Sequence, residues 1–196
     1  MEPIHRLIKG QQGYVCAQVN PSLAGDREAM YAMAKRFNAW APNIAIKLPA
    51  TAAGLDVMEK ICSEGMAATI TVSFSVPQVY VTGRRYQKLV KERKAGSKIG
   101  KCFAVIMIGR LDDYLREVFA DNREAITEQE VRVAGLKDRQ SGSERCEEEL
   151  KRRPEFMKAY DPKGLSEKDL ITFGPTQRTL SQFIKTGWKL LEQFQL

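Results

Sequence analysis

What most constrains the fold of this chain is a fourfold alternation, between residues 13 and 121, of apolar β-branched runs with stretches of helical period. Residues 13–20 read Gly-Tyr-Val-Cys-Ala-Gln-Val-Asn and predict a strand closed by Asn20-Pro21. Residues 26–40 follow, with Met30, Ala34 and Phe37 at helical spacing and Met33 and Trp40 beside them. A second strand is expected over 43–49. Thr51 then caps a helix over 52–64, with Leu55, Met58 and Ile61 on one side and Gly65 as the stop. Residues 67–74, rich in Thr and Val, predict a third strand, and Ser75 and Pro77 resemble the N-cap and first turn of the next helix. Residues 102–108 are nearly all apolar and predict a fourth strand, after which Leu111, Leu115 and Val118 mark another helix.

Strand–helix repeats of this kind give parallel strands joined by crossover helices, because a parallel pair cannot be closed by a tight hairpin. A continuously apolar strand such as 102–108 predicts a sheet buried on both faces. A (β/α) barrel and a doubly wound sheet both satisfy this pattern. No GxGxxG or GxxxxGK[ST] loop follows any strand, which removes support from the nucleotide-binding forms of the doubly wound sheet. Beyond residue 122 the pattern changes. Residues 140–153 are polar and include Glu147-Glu148-Glu149, as expected of a linker or an exposed helix within a divergent 122–153 segment. In the helical part over 154–196, Leu180, Phe183, Ile184, Leu191 and Phe194 lie on one face. The whole, 1–196, is expected to be a single domain.

The formal net charge of +7 is local. Residues 79–101 carry eight basic side chains against Glu92 alone, so the rest of the chain sums to zero. Such a stretch is either a polyanion site or a solvated helix face. With no aromatic platform or nucleic-acid motif beside it, the expectation over 84–101 is a solvated face and no nucleic acid. Four scattered cysteines, Cys16, Cys62, Cys102 and Cys146, form no CxxC pair and predict buried free thiols in a reducing compartment. The single histidine, His5, near a flexible start, disfavours histidine triads and histidine-rich metal sites. The first residues show no signal-like apolar run and no segment has membrane-spanning length, so a cytoplasmic chain with no membrane partner is expected.

One residue stands out against this background. In 44–49, Ile44, Ile46 and Leu48 alternate with Ala45, Lys47 and Pro49, which puts a lysine on the face opposite the apolar one. A desolvated lysine is disfavoured in its charged form, and a neutral amine is the nucleophile that Schiff-base chemistry with a carbonyl requires. Barrel active sites open at the carboxyl ends of the strands, and Lys47 lies near such an end. The alternative is a lysine snorkelling out of a strand terminus. Thr69, Thr71 and Ser73 alternate along the third strand, and Gln18 shares a face with Cys16 and Asn20 in the first. These are groups suited to holding a sugar, although Thr also fits strands for steric reasons alone.

Taken in order, Tyr14–Pro21, Asn43–Thr51 with its Ile-Lys-Leu-Pro-Ala-Thr run, Thr69–Ser75 with Gln78, and Ile108–Asp113 resemble the transaldolase family, class I aldolase-type (β/α)8 barrels. Weaker similarity follows at 130–135 and 153–184. The resemblance implies a partial TIM barrel of parallel strands. It also implies a transferase that moves a dihydroxyacetone unit between sugar phosphates in the pentose phosphate pathway, with no cofactor and no metal. By the same resemblance Lys47 falls on the Schiff-base lysine, Thr71 on the threonine that places the catalytic water, Thr69 on a substrate-binding asparagine, and Arg110 on the phosphate-binding arginine. Gln18 stands where transaldolases have a glutamate and the fructose-6-phosphate aldolase branch has glutamine, and it joins Lys47 and Thr71 as a catalytic candidate. Asn20 and Ser73 join Thr69 and Arg110 as substrate-binding candidates. Val105 stands where a serine is usual. The first two family strands, the acid/base aspartate on the first, and strands seven and eight have no counterpart in the alignment of motifs. That leaves an alternative reading of a catalytically inactive truncated barrel acting as a binding or structural remnant, self-associating as a homo-oligomer through its unpaired edges.

Overall fold

The structure, a computed structural model, describes residues 1–74, 76–107, 109, 110, 113 and 174–188. The chain divides into two compact units. The first comprises Met1–Thr71 and Thr82–Val105, and the second comprises Val72–Val81 and Ile106–Leu196.

The first unit follows the order α1 (Glu2–Leu7), β1 (Val15–Gln18), α2 (Arg27–Asn38), β2 (Ile44–Pro49), α3 (Ala52–Ser63) and β3 (Ala67–Thr71). Then come α4 (Val76–Glu92), whose residues from Thr82 belong to this unit, and β4 (Cys102–Ala104). The four strands form one sheet in the order β1-β2-β3-β4, and every pair is parallel. This is the parallel α/β architecture expected from the alternation, part of a (β/α)8 barrel.

Local chemistry explains the boundaries. Asp26 and Thr51 each accept a backbone N–H from the first turn of α2 and α3, at Ala29 (2.9 Å) and Gly54 (3.1 Å). Each cap satisfies a donor the helix leaves orphaned. Helix α3 ends before Gly65, which takes φ +86°, a conformation glycine adopts without steric cost. On α2, Met30, Ala34 and Phe37 are buried, and on α3 Leu55, Val57, Met58, Ile61 and Cys62 are. They cover the sheet face that carries Ala17, Ile46, Leu48, Ala68 and Ile70, all buried. Each fully buried Leu, Ile, Val, Phe or Met side chain here contributes about 1.5–3 kcal/mol relative to exposure.

Several expectations need correction. The fourth strand is three residues long where seven were expected. Phe103 is 37% exposed and Cys102 half-buried, so the strand is not buried on both faces; among the described residues it stands last in the sheet. β3 stops at Thr71, short of 74, because Val72 turns to φ +58°, which ends strand geometry. Such a φ at a β-branched residue is a strained conformation of about 1–3 kcal/mol. Cys16 is exposed and Cys102 half-buried; among the described cysteines only Cys62 is a buried thiol, and Cys146 lies outside the described residues. The chain start is no flexible tail: residues 2–7 form α1, and the His5 ring meets Tyr14 edge-on at 4.8 Å.

The basic stretch also departs from a uniformly solvated face. Arg85 on α4 is mostly buried and forks onto α3, with Nε 2.8 Å from Glu59 Oε1 and Nη2 2.6 Å from Glu59 Oε2 and 2.5 Å from Asp56 Oδ1. Lys88, Lys91, Arg93 and Lys94 around it fit the expectation better, since Lys88 is 70% exposed and pairs loosely with Glu92 at 3.9 Å.

In the second unit, α5 (Gly174–Phe183) runs into a π-helical turn, Ile184–Trp188. Its buried residues are Pro175, Thr176 and Thr179, while Leu180, Phe183 and Ile184 of the expected apolar stripe are only half-buried. Leu191, Phe194, the 122–153 segment and the helix marked by Leu111, Leu115 and Val118 lie outside the described residues, as does Ser75.

Candidate functional site

Parallel register decides which side chains share a face. Gln18 pairs with Lys47, Lys47 with Thr69, and Thr69 with Phe103, so these four residues form one row across the sheet. The next level toward the carboxyl ends on that face pairs Pro49 with Thr71. Ile46 and Leu48 lie on the opposite, helix-covered face and are fully buried. The alternation read from 44–49 is therefore realised, and Lys47 stands on the inner face with Gln18, Thr69 and Thr71.

That face is concave. Cys16 Sγ lies 3.4 Å from Thr69 Oγ1, although β1 and β3 are separated by β2. In a flat sheet those strands stand roughly 9.6 Å apart. The residue between them is Ala45, paired with Cys16 and with Ala67, and its small side chain lets the two neighbours meet above it. Tyr14 and Phe103, on the two outermost strands' edges of the sheet, bring their ring centroids to 5.3 Å. Side chains two and three strands apart touch only if the sheet curls toward them, as in a barrel wall.

Within the row, Lys47 is half-buried, and its amine has no hydrogen-bond or ion-pair partner among the described residues. Gln18 Nε2 donates to the carbonyl oxygens of Val19 (3.3 Å) and Lys47 (3.4 Å), which turns its amide along the strand ends. Thr69 and Thr71 are buried. Asn20 is committed locally, since its Oδ1 accepts the Ser22 N–H at 2.9 Å and caps a short 3-10 turn, Pro21–Leu23. Away from this face, burial holds two thiols protonated: Cys102, paired with Ala68, is pushed up to about 11, and Cys62 on α3 higher still.

The second unit holds the remaining candidates. Ser73 is buried, and its carbonyl accepts the Met107 N–H at 2.8 Å. Arg110 Nη1 donates to Gln182 Oε1 at 2.6 Å, and its guanidinium stands 4.9 Å from the centre of the Phe183 ring. Gln78, quoted in the sequence motif without a role, is 1% exposed. Its Oε1 accepts the Phe74 N–H at 2.7 Å and its Nε2 donates to Val72 O at 3.4 Å. It therefore clamps the strained turn that follows β3. The only sequence signal for this was a buried-type position four residues beyond Phe74 carrying an amide.

The fold and this face define a class: a parallel α/β protein built as part of a (β/α)8 barrel, with a lysine on the inner wall near the carboxyl end of its strand. The sequence profile of the transaldolase/fructose-6-phosphate aldolase family matches residues 1–150, and the chain belongs to that family. Curated relatives include a transaldolase of Neisseria gonorrhoeae, 30% identical over 139 residues, covering 68% of this chain and 40% of the relative. A probable transaldolase of Dehalococcoides mccartyi is 33% identical over 102 residues, 52% of this chain and 39% of the relative. The transaldolase of Trichodesmium erythraeum is 28% identical over 136 residues, 67% of this chain and 36% of the relative. The chain thus spans two fifths or less of the length of these relatives. Among the described residues, no helix is long and apolar enough to cross a membrane, and no cluster of acidic, cysteine or histidine side chains is arranged to hold a metal ion.

Proposed function

We propose that this chain carries out transaldolase-type Schiff-base chemistry at Lys47 on a sugar phosphate. The observation that carries the reading is the in-register row of Gln18, Lys47 and Thr69 on a concave inner face, with the Lys47 amine unengaged among the described residues. The neutral amine adds to the C2 carbonyl of a ketose phosphate and water leaves, giving an iminium. The C3–C4 bond then breaks. Its electron pair moves toward the iminium nitrogen to give an enamine of dihydroxyacetone on the lysine, and the C4 hydroxyl proton passes to water as the aldose phosphate departs. The enamine adds to an acceptor aldehyde, and water returns to free the product and the amine. The lysine-bound nitrogen is the electron sink, so the reading needs no metal or cofactor.

Gln18, whose amide nitrogen is tied to backbone carbonyls, and Thr71 are proposed to order the water, with Thr69, Asn20 and Ser73 meeting sugar hydroxyls. Asn20 is the least available of these, because its oxygen already caps a turn. Arg110 is proposed to take the phosphate, for which a planar guanidinium fork is suited.

The test is release of glyceraldehyde 3-phosphate from fructose 6-phosphate in the presence of erythrose 4-phosphate. The expected result is turnover by the chain and none by Lys47→Ala. Turnover unchanged in Lys47→Ala would sink the proposal. The alternative reading is an inactive binding remnant. Absence of turnover together with specific sugar-phosphate binding to the folded chain is the result that selects it.

A further inference from the structure

At the opposite, amino-terminal end of the strands lies a cavity of about 540 Å³, a size in the range of small-molecule sites. It lies entirely within the first unit. Ile44 and Ala67, the first residues of β2 and β3, form part of its lining, as does Lys101, immediately before β4. Lys47 stands three residues further along β2 than Ile44, roughly 10 Å away at the rise of a strand.

The lining has one sign of charge. Arg6, Lys9, Lys98 and Lys101 contribute cations, His5 contributes an imidazole, and no carboxylate among the described residues lines the cavity. Arg6 is partly offset by Glu2, one helical turn away at 2.5 Å. Lys9 and Lys98 meet no acidic partner among the described residues. A concave wall of one sign focuses the field within it and concentrates anions.

The arrangement is also built and not incidental. α1 folds back under the sheet through Gly13, whose φ is +78° and where a Cβ would stand 2.7 Å from the His5 backbone nitrogen. Only glycine permits that approach, and it fixes His5 and Arg6 at the cavity wall. Lys101 is held in place by its Nζ–H donated to the Gln11 carbonyl at 3.0 Å and by its position 5.7 Å from the Tyr14 ring centre. Tyr14 in turn donates its hydroxyl to Gly10 O at 3.0 Å. The Tyr14 ring packs in T-shaped contacts against both His5 (4.8 Å) and Phe103 (5.3 Å), which hold it in place at the cavity.

We propose that this cavity binds a small phosphorylated anion through its phosphate, at a site separate from Lys47. Fixed ammonium and guanidinium groups around a concave space of this size match a phosphate or diphosphate better than an extended polyanion.

The test is calorimetric titration of the full chain with pyrophosphate, inorganic phosphate and ribose 5-phosphate, and with a single-stranded oligonucleotide for comparison. The expected result is saturable binding of at least one of the three small phosphates. Affinity should fall about tenfold or more in Lys98→Glu and in Arg6→Gln, both exposed positions whose circular dichroism should match the parent. Preference for pyrophosphate and inorganic phosphate would identify a free anion, and preference for ribose 5-phosphate an ester; either supports the site. Lys47→Ala should leave this binding unchanged. No binding of any small phosphate, equal loss in Lys47→Ala, indifference to both charge variants, or binding confined to the oligonucleotide would each overturn the proposal.

Discussion

At position 78 a single buried amide does what a longer strand would otherwise do. The turn after β3 places Val72 in left-handed backbone geometry, which costs about 1–3 kcal/mol. Gln78 answers both sides of that turn, accepting from Phe74 N–H and donating to Val72 O. Gln78→Ala removes the hydrogen bonds to Phe74 N–H and Val72 O, a loss of about 0.5–1.5 kcal/mol for each bond. The expected outcome is a lower denaturant midpoint with an unchanged m-value. A midpoint equal to that of the parent would show that the clamp contributes nothing. Residue-level reading of the sequence placed Lys47 on the correct face because strand alternation is local and strict. It could not see that Asn20 spends its side chain on a cap or that Cys16 reaches solvent, since both depend on which neighbours the third dimension supplies.

Among the elements, the link between α3 and α4 is electrostatic as well as apolar. Burial pushes the Asp56 carboxyl up, and the hydrogen bonds from Arg85 and Arg27 outweigh it, leaving Asp56 below the ordinary carboxylate value. A group whose folded pKa is lowered adds stability above its unfolded value, about 3.9, and loses it as pH falls through the folded value. Arg85→Ala is therefore expected to cost about 1–2 kcal/mol near neutral pH, and less below about pH 3.9 as the carboxylates protonate. Urea unfolding of both proteins across pH 2.5 to 7 checks this (the range brackets the ordinary carboxylate pKa of about 4); a difference independent of pH would contradict it. The strand–helix order, the Thr51 cap and the Gly65 stop were legible in the sequence, because caps and periodicity are written in short windows. The length of β4 was not. Residues 102–108 are apolar enough for a longer strand, but how much of such a run pairs with β3 depends on the tertiary structure and is not encoded in its own composition. The role of Arg85 was hidden for a similar reason: within a run of eight basic residues, only the packing of α4 on α3 distinguishes the one that forks onto two carboxylates.

For the molecule as a whole, the four parallel strands curl enough to bring Tyr14 and Phe103 into contact, and this concave wall carries Lys47 on its inner side. Family membership over residues 1–150 and a span of two fifths or less of these relatives' length leave the proposed chemistry resting on one amine. Lys47→Ala should remain folded, since the side chain is half-buried and unpartnered among the described residues. The most direct test is borohydride reduction in the presence of fructose 6-phosphate, followed by peptide mass mapping. The account predicts a covalent adduct of the dihydroxyacetone unit or of the whole ketose on the peptide bearing Lys47, and none in Lys47→Ala or Lys47→Arg, because a guanidinium stays protonated and forms no iminium. An adduct mapped to any other lysine, or no adduct on the folded chain, would contradict it.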